Sequence, residues 1–177
     1  MEVLTIQLEK LEFKNTDSAN NLIRYITRTR LNEDRRNELV TYGFPYGNNF
    51  NKPIEQVIWE FEYIQQAYDT GGSLMCHYCI HIPPTSRIVQ NNDIEKLNAY
   101  AQECYNYMFN RGHQCVYAIH YSEKEKLHIH LAINTTNYMI GHKLRQYHKE
   151  VKTFIERPLS EIFKKYNCCR VYSIDDL

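Results

Sequence analysis

The stretch AIHYSEKEKLHIHLAIN, residues 118–134, decides the fold. Leu127, Ile129, Leu131 and Ile133 recur at every second position, the period of a strand that turns one face to a core. Gln114 to Tyr121 reads as a strand before it, and the charged run SEKEK (122–126) joins the two as a hairpin turn. Side chains two apart in a strand share a face. His128, His130 and Asn134 therefore point away from the apolar row, and His120 on the partner strand can join them. Opposed Cβ atoms stand about 5 Å apart across a sheet, so three imidazoles can converge on one ion. Imidazole suits divalent transition metals, and three ligands leave positions open for substrate. An HxH pair alone is as easily polar surface on a half-exposed strand; the third histidine across a tight hairpin tips the reading toward a metal.

Outward from the hairpin, Leu74 to Ile82 alternates with Leu74, Cys76, Tyr78, Ile80 and Ile82 on one face, and Pro83-Pro84 closes this strand. Asp93 or Asn92 caps a helix whose stripe Ile94, Leu97, Ala101, Cys104 and Met108 runs to Arg111-Gly112. Pro53 opens another, with Ile54, Val57, Ile58, Phe61 and Ile64 at helical spacing until Gly71-Gly72. Near the start, Val3 to Leu8 reads as a strand and Ala19 to about Arg30 as a helix capped by Ser18. Residues 41–52, TYGFPYGNNFNK, read as a loop. Leu144 to Tyr166 reads as helical with an interruption at Pro158. This order predicts one α+β domain over 1–177, an antiparallel sheet with helices on one side.

The 177 residues are 43% hydrophobic and 24% charged, which excludes a disordered chain. No apolar run reaches the roughly 18 residues of a membrane span, and MEVLTIQLEK does not have the pattern of a secretion signal. The expectation is a cytoplasmic protein. Lys+Arg and Asp+Glu both number 21, so a grip on nucleic acid by global charge is excluded. Contacts must be local: residues 24–36 hold five Arg, and residues 143–165 hold seven Lys or Arg. The six cysteines at 76, 79, 104, 115, 168 and 169 read as reduced and structural, because Cys76 and Cys79 have no second pair and face opposite sides of a strand. His77 and His81 read as sheet-face residues, His77 also as a candidate support for a ligand. His113, His142 and His148 read as loop or solvated positions. Tyr42, Tyr46, Tyr105, Tyr107, Tyr138 and Tyr147 offer either base-stacking surface or core packing.

HIHLAIN (128–134) with His120 before it resembles the third motif of relaxases of mobile plasmids and conjugative elements. These are HUH (His–hydrophobe–His) endonucleases, and the likeness is to the MobA/VirD-like, MOBP-type class. LIRYITRTR (22–30) places Tyr25 in the YIT context of that family's N-terminal tyrosine, and Cys76-His77-Tyr78 resembles the start of its intervening strand. The resemblance spans about residues 1 to 170. It implies a five-stranded antiparallel sheet flanked by helices. It implies Tyr25 as the nucleophile on single-stranded DNA at a transfer origin, with an adjacent DNA hairpin. His120, His128 and His130 would hold Mg²⁺ or Mn²⁺. The products would be a 5′-phosphotyrosyl DNA and a free 3′-OH, in a bacterial cytoplasm, with relaxosome accessory and coupling proteins as partners. Arg24 and Arg28 beside Tyr25, Asn134, and Lys143 and Arg145 after the hairpin are candidate DNA contacts. Related motifs carry an acid two residues after the first histidine, where this chain has Ser122; Glu123 or Glu125 supplies it, or both are solvated turn residues.

A phenol's usual pKa of about 10 requires activation by a cation or base, and a metal on a non-bridging phosphate oxygen offsets charge built up in displacement. Three other readings compete. A rolling-circle initiator or single-tyrosine transposase would use a tyrosine after the histidine pair, for which Tyr147 is available. A zinc hydrolase or hydro-lyase would share the three histidines, and a non-catalytic DNA-binding accessory protein would not need them.

Overall fold

The computed structural model describes residues 4–10, 13–30, 36–43, 52–69, 71–123, 126–144 and 152–166. The hairpin forms as its alternation dictates: β4 (His113–Ser122) pairs antiparallel with β5 (Lys126–Asn137). The other side of β5 takes β3 (Met75–His81), and β1 (Thr5–Lys10) lies on the far edge of β3. The other edge is β2 (Leu39–Gly43), paired with β4, so the order is β1-β3-β5-β4-β2 with every pair antiparallel. Residues 39–43 thus correct the loop expected from position 41 onward.

The helices cover both faces, as the flanked sheet of the resemblance implies and not on one side as the order of elements alone suggests. Ala19, Leu22, Ile23 and Ile26 form the apolar stripe of α1 (Thr16–Ile26), capped by the Asn15 side chain and not by Ser18. This stripe packs with Val57, Ile58 and Phe61 of α2 (Ile54–Tyr68) on Met75, Val116, Ala118 and Ala132 of the sheet. The opposite face presents Cys76, Tyr78, Ile80, Tyr117, Ile119, Ile129, Leu131 and Ile133 to α4 (Ile94–Phe109) and α5 (Arg157–Tyr166). A short α3 (Arg87–Gln90), capped by Ser86, precedes α4. Lys152–Glu156 form a π-helical turn that runs directly into α5, so Pro158, the second residue of α5, sits where the expected helix changes from π to α, and the regular run is interrupted there.

α4 ends as expected. Gly112 has φ +84°, and a Cβ there would come within 2.3 Å of the Asn137 side chain, so only glycine makes the tight turn into β4.

Candidate active site

The sheet face under α1 and α2 divides along its length, apolar at one end and imidazole-lined at the other. Register does this. His120 on β4 and His81 on β3 both stand opposite His128, and Cys79 stands opposite His130. The ring centroids of His120, His128 and His130 lie 4.6–5.5 Å from one another. None of the three is surface: His120 is 0%, His128 2% and His130 5% exposed.

Tyr25 reaches this cluster from the end of α1. Its half-buried ring lies 6.0 Å from that of His130 and 6.4 Å from that of His77. The helix terminates in a Schellman arrangement, with Thr29 N–H donating to the Arg24 carbonyl at 3.0 Å and Arg28 N–H to the Tyr25 carbonyl at 3.3 Å. Glycine is usual at the left-handed position, yet Arg28 occupies it with φ +53°. The turn folds its guanidinium back over the Tyr25 ring, 4.7 Å from the centroid. Arg28 donates from Nη2 to Glu38 Oε2 at 2.7 Å, and Arg30 covers the same ring at 5.2 Å. The orphan carbonyl of Ile26 accepts from His120 Nε2 at 2.6 Å, which ties the helix end to the hairpin.

These bonds fix the tautomers. A carbonyl only accepts, so His120 is protonated on Nε2, and its Nδ1 lone pair takes the Arg28 Nη2 N–H at 3.2 Å. His128 Nδ1 donates to the Lys126 carbonyl at 3.0 Å, which puts that ring's lone pair on Nε2. His130 Nδ1 lies 2.9 Å from His77 Nε2, an orienting bond of the kind that fixes a metal-ligating imidazole. Burial pushes His77 and His120 down to about 4, and pushes His130 lower still with its neighbours His77, His120 and His128 adding to the effect. Neutral imidazoles are the ligating form. The donor chemistry fits a cation at His128 and His130. It does not fit one at His120 as that ring stands, because both of its nitrogens are committed.

The sequence missed one donor. Cys79, read as structural, places Sγ within 4.8 Å of ligand atoms of His128 and His130, and all three side chains are buried. It also missed Glu38, the acid that pairs with Arg28. The signal for Cys79 lay in CHYCIH (76–81), where His77, Cys79 and His81 share the face opposite the apolar row.

Several expected contacts are placed elsewhere. Arg24 makes a bidentate pair with Glu55 on α2. Asn134, expected at DNA, is fully buried: its amide donates to the Phe61 carbonyl and Gln114 Oε1, and its oxygen accepts from Thr136 N–H. It locks α2 onto the sheet and has no surface to offer a nucleic acid. Arg28 is likewise buried in the cluster and not solvent-facing. Lys143 donates to the Ser73 carbonyl at 3.2 Å and to Thr135 Oγ1 at 3.3 Å. Glu123 is exposed at the hairpin turn. Glu125, Arg145 and Tyr147 lie outside the described residues. Of the tyrosines, Tyr105 is buried and Tyr107 donates to the Phe154 carbonyl, which favours packing for these two.

The fold agrees with comparisons to known proteins. A family model described as "Relaxase: MobA/VirD2-like, nuclease domain" matches residues 25–168. A solved structure from work on the "Molecular Basis of Vancomycin Resistance Transfer in Staphylococcus aureus" superposes with a TM-score of 0.58. It shares 14% identity, and the match covers 93% of this chain and 92% of that one, a likeness of fold. Among curated proteins none matches. Among the described residues no helix is long and apolar enough to cross a membrane.

Proposed function

Because the chain belongs to the MobA/VirD2-like relaxases, DNA-nicking transesterases of conjugative transfer, we propose that it cuts one strand at a transfer origin with Tyr25 as the nucleophile. The phenolic oxygen attacks the scissile phosphorus, the phenol proton is lost, and the 3′ oxygen departs and takes up a proton. The 5′ end stays on Tyr25 as a phosphodiester, so the same 3′-OH can reverse the step and reseal the strand. The observation that carries this reading is the seat of Tyr25, 6.0 Å ring to ring from His130 at a helix end anchored by the His120–Ile26 bond.

Each neighbour has work in this scheme. Arg28 and Arg30, over the ring, hold the tyrosine against the cluster and put positive charge where a phosphate would sit. Glu38 fixes the Arg28 fork. The divalent ion that the family uses, seated at His128 and His130, would draw charge from a non-bridging phosphate oxygen. The substrate is single-stranded DNA beside a hairpin, delivered with accessory and coupling proteins.

The test is covalent capture. With a labelled oligonucleotide spanning the element's transfer origin and a divalent ion, the wild-type protein forms a denaturation-resistant adduct. Tyr25→Phe lowers adduct formation roughly a thousandfold or more while binding the same oligonucleotide. Equal adduct formation by the variant overturns the assignment.

A further inference from the structure

We propose that a cavity at the far end of the β4–β5 hairpin binds a nucleotide, a nitrogenous ring carrying phosphate, at a site separate from the Tyr25 cluster. Tyr107, Arg111, His113, Lys143 and Phe154 line this cavity of about 600 Å³, a size within the roughly 300–1,000 Å³ of small-molecule sites. His113 opens β4 and His120 lies near its other end, which at about 3.3 Å per residue sets the two roughly 20 Å apart. Tyr107 and Phe154 pack on the apolar face of the sheet under α4 and α5, whereas Tyr25 packs on the other. A ligand held there is independent of the role of Tyr25.

The walls select a flat ring. Tyr107 is pinned by its hydroxyl, which donates to the Phe154 carbonyl at 2.9 Å, and the two rings meet edge-on with centroids 6.4 Å apart. The exposed Arg111 guanidinium lies over the Tyr107 ring, 3.8 Å from its centroid and 5.9 Å from that of Phe154. A guanidinium so held is a planar cationic surface, on which a nucleobase stacks as it does on an aromatic ring. His113 adds an edge contact. Its Nδ1 donates to the Asn134 carbonyl at 3.0 Å, so Nε2 carries the lone pair. Burial holds this imidazole below its ordinary pKa, and neutral Nε2 accepts an N–H such as a base amino group presents.

The charges select an anion. Arg111 and Lys143 line the cavity, and among the described residues no Asp or Glu does. Lys143 donates to two neutral oxygens, the Ser73 carbonyl and Thr135 Oγ1, so its charge is hydrogen-bonded but not balanced. Burial lowers its pKa, a cost that a phosphate within reach offsets. A flat ring and an anion joined in one molecule of this size make a nucleotide, either free or as one residue of a DNA strand.

Photolabelling of the intact protein tests the site with two probes, 8-azido-dAMP and a short thymidine strand carrying 5-iododeoxyuridine and no origin sequence. At least one probe is expected to label the peptides around Tyr107, His113 or Phe154 saturably. Labelling by the free nucleotide alone makes that the ligand, and labelling by the strand makes it a DNA residue; either supports the site. Unlabelled dAMP is expected to protect about tenfold better than deoxyadenosine or inorganic phosphate, because only dAMP meets both the stacking surface and the cations. Arg111→Ala, which removes an exposed side chain, is expected to weaken the labelled complex about tenfold. Saturable labelling confined to the peptides around Tyr25 and His130 overturns the proposal. So do equal protection by deoxyadenosine or phosphate, unchanged labelling of Arg111→Ala, and the absence of labelling by either probe.

Discussion

Leu131 and His130 are neighbours in the chain and face opposite worlds. Leu131 belongs to a row with Ile129 and Ile133 that meets α4 and α5, and every member is 0% exposed. His130 belongs to a row with His128 that meets Tyr25 and His77, and this row is nearly as buried. Burial is equal; its energetic meaning is not. On the first face burial releases apolar surface from water and stabilises the fold. On the second it strips neutral imidazoles of solvent, a cost met by a few hydrogen bonds. One strand therefore carries a folding face and a chemical face, and each can be perturbed without directly touching the other.

Acid should separate the two faces most strongly. His77 and His120 titrate at about 4 in the fold because burial disfavours their charged forms, against about 6.5 for an exposed imidazole. Between those values the unfolded chain binds more protons than the native one, so stability falls as pH drops from about 6.5 to about 4. The two rings together are worth several kcal/mol by this linkage. Urea denaturation with a chelator present should show the loss, and His77→Gln with His120→Gln should reduce it, leaving the share carried by His130. A free energy constant across that window would mean the imidazole face is not buried in solution.

The apolar face answers to cavities. Leu131→Ala should cost about 2–5 kcal/mol of unfolding free energy, read as a lower denaturant midpoint at unchanged slope. What remains folded should still form the DNA adduct at Tyr25. His130→Gln should reverse the pattern, with a smaller loss of stability and a large loss of adduct. If both variants lose stability and activity in step, the two rows are not separable.

How far this division could be read in the sequence depends on what each feature requires. The alternation in β3 and β5 is local, so the apolar row and the HxH pair stood out at once. The nearness of Cys79 to His128 and His130 depends on β3 lying beside β5, a long-range pairing that no local pattern encodes. β2 was hidden because it is a five-residue edge strand with almost no alternation in burial, next to glycine- and proline-rich sequence. Helical stripes say that α1, α2, α4 and α5 pack on something, not on which face, so element order alone pointed to one-sided coverage where the flanked sheet implied by the resemblance is what forms. Asn134 followed from the same gap. It shares a face with His128 and His130, but α2 covers that end of the sheet, and what looked like a group for DNA is a buried clasp. Arg28 shows the reverse: its chemistry comes from a left-handed turn residue where glycine would be usual, which sequence position alone does not announce.

The smallest expected effect sharpens the line between the site and its surroundings. Arg24 and Arg28 both flank Tyr25 in sequence, yet Arg24 turns outward to Glu55 while Arg28 turns inward to Glu38 and His120. The Arg24–Glu55 pair raises the arginine's pKa and lowers the glutamate's through their shared hydrogen bonds. Both groups are largely solvent-screened, so Arg24→Ala should cost under about 1 kcal/mol of stability. Adduct formation at Tyr25 should stay within a fewfold of wild type if Arg24 only braces α1 against α2. A loss of oligonucleotide affinity whose salt dependence shrinks by about one phosphate contact would instead mean that Arg24 leaves Glu55 for the DNA backbone. The chemical face would then extend outward along α1, beyond the buried cluster.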